Sequence, residues 1–206
     1  MIYQNDCYLI NYNENDKAYI TDIIDAINEN LKRIMDFFEL QDFKYKKVIN
    51  IWNDIGAYKH YIEQYVDEYQ DWMVADTFDK NINILSLDLY LDSFHNDRTL
   101  TDYCKIIIHE LVHSCQQEVN PISNNVEWFW EALATNLANQ DLKMVNIICS
   151  KEELMNNFVK LRDAYSVSYK IGQYMLKHFT KEQILQYVKN PNLLIDDMDA
   201  ILKNIK

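Results

Sequence analysis

Only two glycines, Gly56 and Gly172, and two prolines, Pro121 and Pro191, occur among the 206 residues of this chain. Glycine-rich phosphate loops and dinucleotide fingerprints need several closely spaced glycines, so two distant ones exclude both kinds of site. Folds with many tight β-turns also depend on Gly and Pro, which makes an all-β fold a poor fit. The scarcity therefore favours a helix-rich chain whose loops are made by Asn, Asp and Ser.

The charge is concentrated in the middle of the chain. The net charge is −12, and residues 60–142 carry 15 acidic and 3 basic side chains, while the segments before and after them nearly cancel. A nucleic-acid groove needs the opposite sign, so we expect no nucleic-acid partner. An acidic field favours cations, either a metal ion or a basic peptide, although a solvated acidic face is the commoner explanation of such a run.

The N-terminus and the cysteines indicate a cellular compartment. The start, Met1–Asp6, shows no basic region followed by an apolar run, and no stretch approaches membrane-spanning length. Four cysteines occur without any CxxC pairing. We therefore expect a cytoplasmic protein with reduced thiols and no membrane association, in which Cys104 and Cys115 are small buried hydrophobes.

Hydrophobic periodicity predicts mixed secondary structure in the first half of the chain. Alternation of apolar and polar residues predicts strands over Cys7–Tyr12 and Asn81–Leu91, and Val48–Trp52, which follows a basic segment, is also predicted as a strand. Helical spacing predicts a helix over Ala18–Phe38, and Asp54 is placed to cap a second helix over Ala57–Tyr69.

Beyond about residue 95 the signals are helical only. Capping boxes are predicted for three helices, from Thr99 with Asp102, Ser150 with Glu153 and Thr180 with Gln183. Asn124 with Glu127 caps a helix to about Asp141, Pro121 and Pro191 stop helices, and a last helix covers Asp196–Lys203. The predicted class is α+β. We expect one domain of two lobes, with residues 1–118 forming a mixed sheet with helices and residues 119–206 all helical.

His109-Glu110-Leu111-Val112-His113 is an HExxH sequence inside the helix that begins near Thr99. Histidines at positions i and i+4 share one face of a helix, so both imidazoles can reach one ion. Neutral imidazole suits Zn²⁺, which lowers the pKa of a bound water to about 7. Glu110 stands beside the first ligand and can take the proton of that water as a general base. The sequence therefore predicts one catalytic zinc ion per chain.

A catalytic zinc site keeps three protein ligands and one open position, so a third ligand is needed. The candidates are nearby carboxylates and the remaining histidines, His60, His95 and His178. Glu131 is favoured because it is the one charge in the apolar run Trp128–Thr135, and a buried carboxylate needs a partner. Glu127, one turn earlier, is the competitor, but a capping role explains it.

The HExxH helix followed by the segment Trp128–Thr135 resembles the gluzincins. The closest resemblance is to the peptidase MA-like group, which includes the catalytic domain of membrane-alanyl-aminopeptidase-like enzymes. It implies a zincin-like fold, with Glu131 as third zinc ligand and Thr135 as a residue that supports a ligand histidine. Val167–Gly172 is similar to a family segment whose Tyr donates to the oxyanion, a role that falls to Tyr169 or, one turn earlier, to Tyr165.

Two departures from the family pattern bear on the substrate. The spacing between the ligands is one residue shorter than in the aminopeptidases, which a loop can absorb. The G-x-M-E-N segment that grips a substrate α-amine is missing, and Trp72–Phe78 stands about where it would be, so aminopeptidase specificity is not implied. In zincins an edge strand upstream of the motif pairs with extended substrate, and Asn81–Leu87 is the strand expected there.

Three functions are compatible with these residues. The first is a zinc metallopeptidase acting on peptide or protein substrates, with a cationic substrate as the minority expectation from the charge. The second is a regulatory protease of the same chemistry that cleaves one specific partner protein, which ranks lower because there is no helix-turn-helix and no basic patch. The third is a zinc-stabilised binding module without turnover, which ranks lower because a structural site does not need Glu110.

Overall fold

The computed structural model describes residues 1–122 and 126–205, and the chain forms two compact units, Met1–Ser114 and Cys115–Lys206. We call them the N-terminal unit and the C-terminal unit. All strands of the described residues lie in the N-terminal unit, whereas helices occur in both, so the predicted α+β class is confirmed. That the two units are lobes of one zincin-like domain stays a prediction.

The N-terminal unit contains one sheet of five strands. In chain order they are β1 (Ile2–Gln4), β2 (Tyr8–Asn11), β3 (Lys47–Trp52), β4 (Ala75–Asp76) and β5 (Ile82–Leu85). Across the sheet the order is β1-β2-β3-β5-β4, with β2, β3 and β5 parallel and the two outer strands antiparallel to their neighbours. Parallel neighbours need a crossover connection, which helices between the strands provide.

Four α-helices begin in the N-terminal unit. They are α1 (Ile20–Phe37), α2 (Ile55–Ile62), α3 (Leu87–Leu91) and α4 (Leu100–Val119). α1 connects β2 to β3 and buries one apolar stripe, which includes Ile23, Ile27 and Ile34. Asp54 caps α2 as predicted, and its carboxylate accepts from the N–H groups of Gly56 at 2.8 Å and Ala57 at 3.0 Å. The helix ends at Ile62, seven residues before the predicted Tyr69.

A row of polar side chains crosses this sheet in register. Asn11, Asn50, Asn83 and Asp76 are level with one another on β2, β3, β5 and β4. Each amide donates to the next residue: Asn11 to Asn50 at 2.8 Å, Asn50 to Asn83 at 3.0 Å, and Asn83 to Asp76 at 3.4 Å. Trp52 fixes the Asn83 amide, because its indole N–H can only donate and bonds Asn83 Oδ1 at 3.2 Å. We call these four residues the asparagine row. A slip of one residue in any strand would break it, so the row specifies the register.

The predicted strand Asn81–Leu91 is wrong in its second half and in its place in the sheet. Leu87–Leu91 form the helix α3, because a short apolar run fits a helix as well as a strand. Ile82–Leu85 is an interior strand, buried at every position and flanked by β3 and β4. The edge expected at Asn81–Leu87 is therefore occupied by β4, which sequence periodicity missed because it is only two residues long.

Helices make up the regular secondary structure in the described residues of the C-terminal unit, as predicted, and no strand occurs among these residues. After the last turn of α4 it contains α5 (Glu127–Leu137), α6 (Lys151–Asn156), α7 (Ala164–His178), α8 (Lys181–Lys189) and α9 (Pro191–Ile205). α5 and α7 approach closely at Gly172, where an added Cβ would overlap the carbonyl oxygen of Ala132 and the side chain of Asn136. The Asn136 amide joins the two helices by donating to Ala132 O at 2.8 Å and Tyr169 O at 3.0 Å.

The predicted helix ends are confirmed in part. All three predicted capping boxes form, at Thr99, Ser150 and Thr180. α5 ends four residues before the predicted Asp141, and its predicted cap, Asn124, lies outside the described residues. α9 begins at Pro191, five residues before the predicted Asp196, because proline suits the first position of a helix, where no N–H partner is needed.

The cysteines and the apolar composition of the helices were the basis of the predicted compartment. All four cysteines are free thiols, and Cys104 and Cys115 are buried as predicted. Over residues 1–122 and 126–205, no helix combines the length and apolar composition needed to cross a bilayer.

Candidate metal centre

The HExxH residues lie in the middle of α4 and are buried. Tyr103, two turns before Glu110, anchors this helix to the sheet by donating its hydroxyl to the carbonyl oxygen of Leu85 at 2.8 Å. His109 and His113 lie one turn apart, and their Nε2 atoms are 2.9 Å from each other. Both imidazoles therefore direct the same ring nitrogen to one point, as the i and i+4 spacing predicted.

One group of potential metal ligands occurs in the described residues, and it contains His109, His113 and Glu131. Each offers one ligand atom, and these atoms all lie within 4.8 Å of one another. Glu131 lies in the second turn of α5 and is half-buried. Its neighbours in the sequence, Trp130 and Ala132, are apolar and buried. Of the two carboxylates left open by the sequence, Glu131 joins this group, whereas Glu127 is exposed at the start of α5.

The donor set fits a zinc ion. Two imidazole nitrogens and one carboxylate oxygen are a known catalytic set for zinc, which leaves the fourth tetrahedral position open. Two nitrogens at about 2.05 Å from one tetrahedral ion are about 3.3 Å apart, so the observed 2.9 Å requires the rings to separate by only a few tenths of an ångström. Imidazole and carboxylate also suit other divalent transition metals, so the set alone does not select zinc.

The remaining histidines do not belong to this group. His60 and His178 are exposed on α2 and α7. His95 is half-buried, and its ring stacks on Tyr90 with centroids 5.0 Å apart. Burial lowers the pKa of His95, which keeps the ring neutral.

Asp76 is a buried carboxyl near Glu110 that sequence reasoning missed. Its Oδ1 accepts from the Tyr61 hydroxyl and the Phe78 N–H, both at 3.0 Å, and its Oδ2 from the Tyr58 hydroxyl at 3.3 Å. Burial raises the pKa of Asp76 to about 7, the N–H of Phe78 opposes the rise, and the negative charge of Glu110 adds to it. Burial also raises the pKa of Tyr58, and the charges of Asp76 and Glu110 add to this rise.

The signal that could have found Asp76 is the asparagine row. Asn11, Asn50 and Asn83 each stand inside a predicted strand, where asparagine is unfavourable unless it is hydrogen-bonded. Three such residues on three strands indicate a polar line across a sheet, and a line of donors needs an acceptor at its end. The partner could not be named in advance because β4 itself was not predicted.

Tyr169 and Thr135 lie on α7 and α5 of the C-terminal unit. Tyr169 is half-buried, and its hydroxyl has no hydrogen-bond partner among the described residues. Tyr165, the alternative, is 43% exposed, and its ring lies against Phe158 at 6.2 Å. The Thr135 hydroxyl donates within its own helix to Glu131 O at 2.6 Å, so only its lone pairs can serve a ligand histidine. Both assigned roles stay predictions.

Comparison with family models, with curated proteins and with solved structures finds no significant match. The likeness to the gluzincins therefore depends on the motif residues alone.

Proposed function

We propose that this protein is a zinc metallopeptidase that hydrolyses peptide bonds, with zinc held by His109, His113 and Glu131. The observation that carries the proposal is the group of three ligand atoms within 4.8 Å of one another. Glu110, next to the first ligand, distinguishes this arrangement from a structural site, where a carboxylate that does not ligate the ion has no task. The regulatory protease remains a narrower form of the same proposal.

The chemistry divides between the metal and the chain. When bound, zinc supplies a Lewis acid that polarises the carbonyl group and lowers the pKa of water. Glu110 takes the proton of the attacking water as the oxygen bonds the carbonyl carbon. It then returns this proton to the nitrogen as the C–N bond breaks, so that a carboxylic acid and an amine leave. Glu110 ends in its starting state.

Removal of the general base tests the activity. Glu110→Gln keeps the size of the side chain but cannot accept a proton, so hydrolysis of a quenched fluorescent peptide library should fall about 10²–10⁴-fold. Glu118→Gln, two turns further along α4, is the matched control and should retain wild-type rates. Zinc-loaded wild-type protein that is inert toward the library and toward cellular proteins would contradict the proposal and favour a binding module.

Tyr169 is the proposed donor to the oxyanion. Its hydroxyl makes no bond to described residues and is therefore available to a carbonyl oxygen that gains negative charge. Tyr169→Phe should lower kcat about 10²–10³-fold with little change in KM. Tyr165→Phe should stay near wild type, and the reverse pattern would transfer the role to Tyr165.

A further inference from the structure

Two large aromatic side chains stack on each other at the surface of the N-terminal unit. Tyr65 is 46% exposed and Phe78 is 49% exposed, and their ring centroids are 5.2 Å apart with an interplanar angle of 23°. We call this pair the aromatic platform. We propose that the platform and its acidic surroundings form a docking site for a basic segment of a peptide or protein, whose Lys or Arg side chains lie against the rings.

The platform is held rigidly from below. Tyr65 contacts Tyr61 at 5.3 Å between centroids, and Tyr61 stacks on Trp52 of β3 at 5.3 Å. The Tyr61 hydroxyl and the Phe78 N–H donate to the same oxygen of Asp76, both at 3.0 Å. Phe78 is thereby tied directly to one buried carboxyl at the end of the asparagine row, and Tyr65 is tied to it only through the ring of Tyr61. Little side-chain freedom remains to be lost on binding, which favours affinity.

The charge around the platform selects a cation. Residues 60–80, which include both rings, contain five carboxylates besides the buried Asp76, and one lysine. Asp79 follows Phe78 directly, and its Oδ1 accepts from Asn81 N at 3.0 Å and Asn83 Nδ2 at 3.2 Å. A negative field concentrates cations at a surface, and the faces of aromatic rings attract cations within about 6 Å. The two attractions act together on Lys or Arg, whereas an anionic partner would be repelled.

The chain already makes one contact of this kind at the start of this segment. Lys59 Nζ lies 4.7 Å above the ring of Tyr69 and 3.8 Å from Asp71 Oδ1. An aromatic face and a carboxylate thus both contact the same lysine. Tyr65 and Phe78 offer the same chemistry to a lysine or arginine from outside.

Binding to a catalytically silenced protein tests the site independently of the peptidase proposal. The full chain with Glu110→Gln is titrated against a fluorescein-labelled peptide rich in Lys and Arg, and against the same peptide with Gln at those positions. Anisotropy should show at least about tenfold tighter binding of the basic peptide at low salt, weakening as salt screens the charges. Phe78→Ala should weaken its binding about 3–10-fold.

Matched variants separate docking from folding. Phe94→Ala removes a phenylalanine that is 77% exposed in the same unit, and it should leave binding unchanged. Phe78→Tyr keeps an aromatic face and should bind as wild type, whereas Phe78→Leu keeps apolar bulk and should bind as Phe78→Ala. Equal affinity for the basic and neutral peptides, equal effects of Phe78→Ala and Phe94→Ala, or displacement of the basic peptide by a neutral oligosaccharide would overturn the proposal.

Discussion

The internal packing of the N-terminal unit differs from that of the C-terminal unit, and the two glycines show the difference. Gly56 stands in the first turn of α2 in the N-terminal unit, and a Cβ there would lie 3.3 Å from its own cap, Asp54. Gly172 stands in α7 of the C-terminal unit, and a Cβ there would overlap the backbone of α5 at Ala132. Gly56 therefore affects only the start of its own helix, whereas Gly172 is required by the packing of α7 against α5.

Charge and buried polarity differ in the same way. The N-terminal unit carries 10 basic and 21 acidic residues, and the C-terminal unit 10 basic and 11 acidic. The N-terminal unit buries Asn83 and Asp76 in a hydrogen-bonded row that fixes its strands. In the C-terminal unit, α5 and α7 pack backbone against backbone at Gly172, and the Asn136 amide donates to Tyr169 O across this contact. A row of polar side chains therefore orders the sheet, whereas close helix packing orders α5 and α7.

The largest expected effect is on the packing of α5 and α7. Gly172→Ala should destabilise the protein by about 3 kcal/mol or more, because a backbone carbonyl cannot move aside as a side chain can. Gly56→Ala is the matched control and should change the unfolding free energy by less than about 1 kcal/mol, since helix propensity gained offsets the tight contact. Urea unfolding measures both, and equal effects would remove the distinction between the units.

A smaller effect is expected from the pH dependence of the N-terminal unit. The raised pKa of Asp76, about 7 in the folded chain, means that the folded state keeps a proton that the unfolded chain releases near pH 4. The stability due to this group is full below about pH 4 and is lost as the pH rises through about 7. In the wild type, the unfolding free energy should therefore fall by up to about 1.4 kcal/mol per pH unit between about pH 4 and 7, and Asp76→Asn should abolish this fall.

Urea titrations between pH 4.5 and 8 measure this slope. Asp67→Asn, which neutralises an exposed carboxylate of the same unit, is the control and should keep the wild-type slope. Amide hydrogen exchange locates the effect, which should appear in β3 and β5 and not in α7. An unchanged slope in Asp76→Asn would show that the carboxyl is ionised throughout this range.

Most helices and the inner strands could be predicted because their signals are local. The apolar stripe of α1 and the cap at Asp54 need no knowledge of the rest of the chain. β4 could not be predicted, because two residues form a strand only when β5 is beside them. α3 was missed for the opposite reason, since its apolar run was read as a continuation of β5.

The candidate site divides along the same line. His109, Glu110 and His113 are fixed by spacing on one helix, which the sequence states directly. Glu131 was inferred from a lone charge in an apolar helix, and it joins the two histidines. Asp76 depends on the register of four strands, and such a non-local relation is not written in any one segment of the sequence.

Zinc content measured by mass spectrometry tests the central claim most directly. Purified wild-type protein, dialysed against limiting zinc, should hold about one zinc per chain. His113→Ala should hold none. Glu131→Gln should lose zinc affinity, and the loss should exceed the roughly 10–100-fold that follows when a residue that only supports a ligand is removed. Glu127→Gln, on the same helix, should bind as wild type. A zinc content that is zero in the wild type, or unchanged in His113→Ala, would contradict the account.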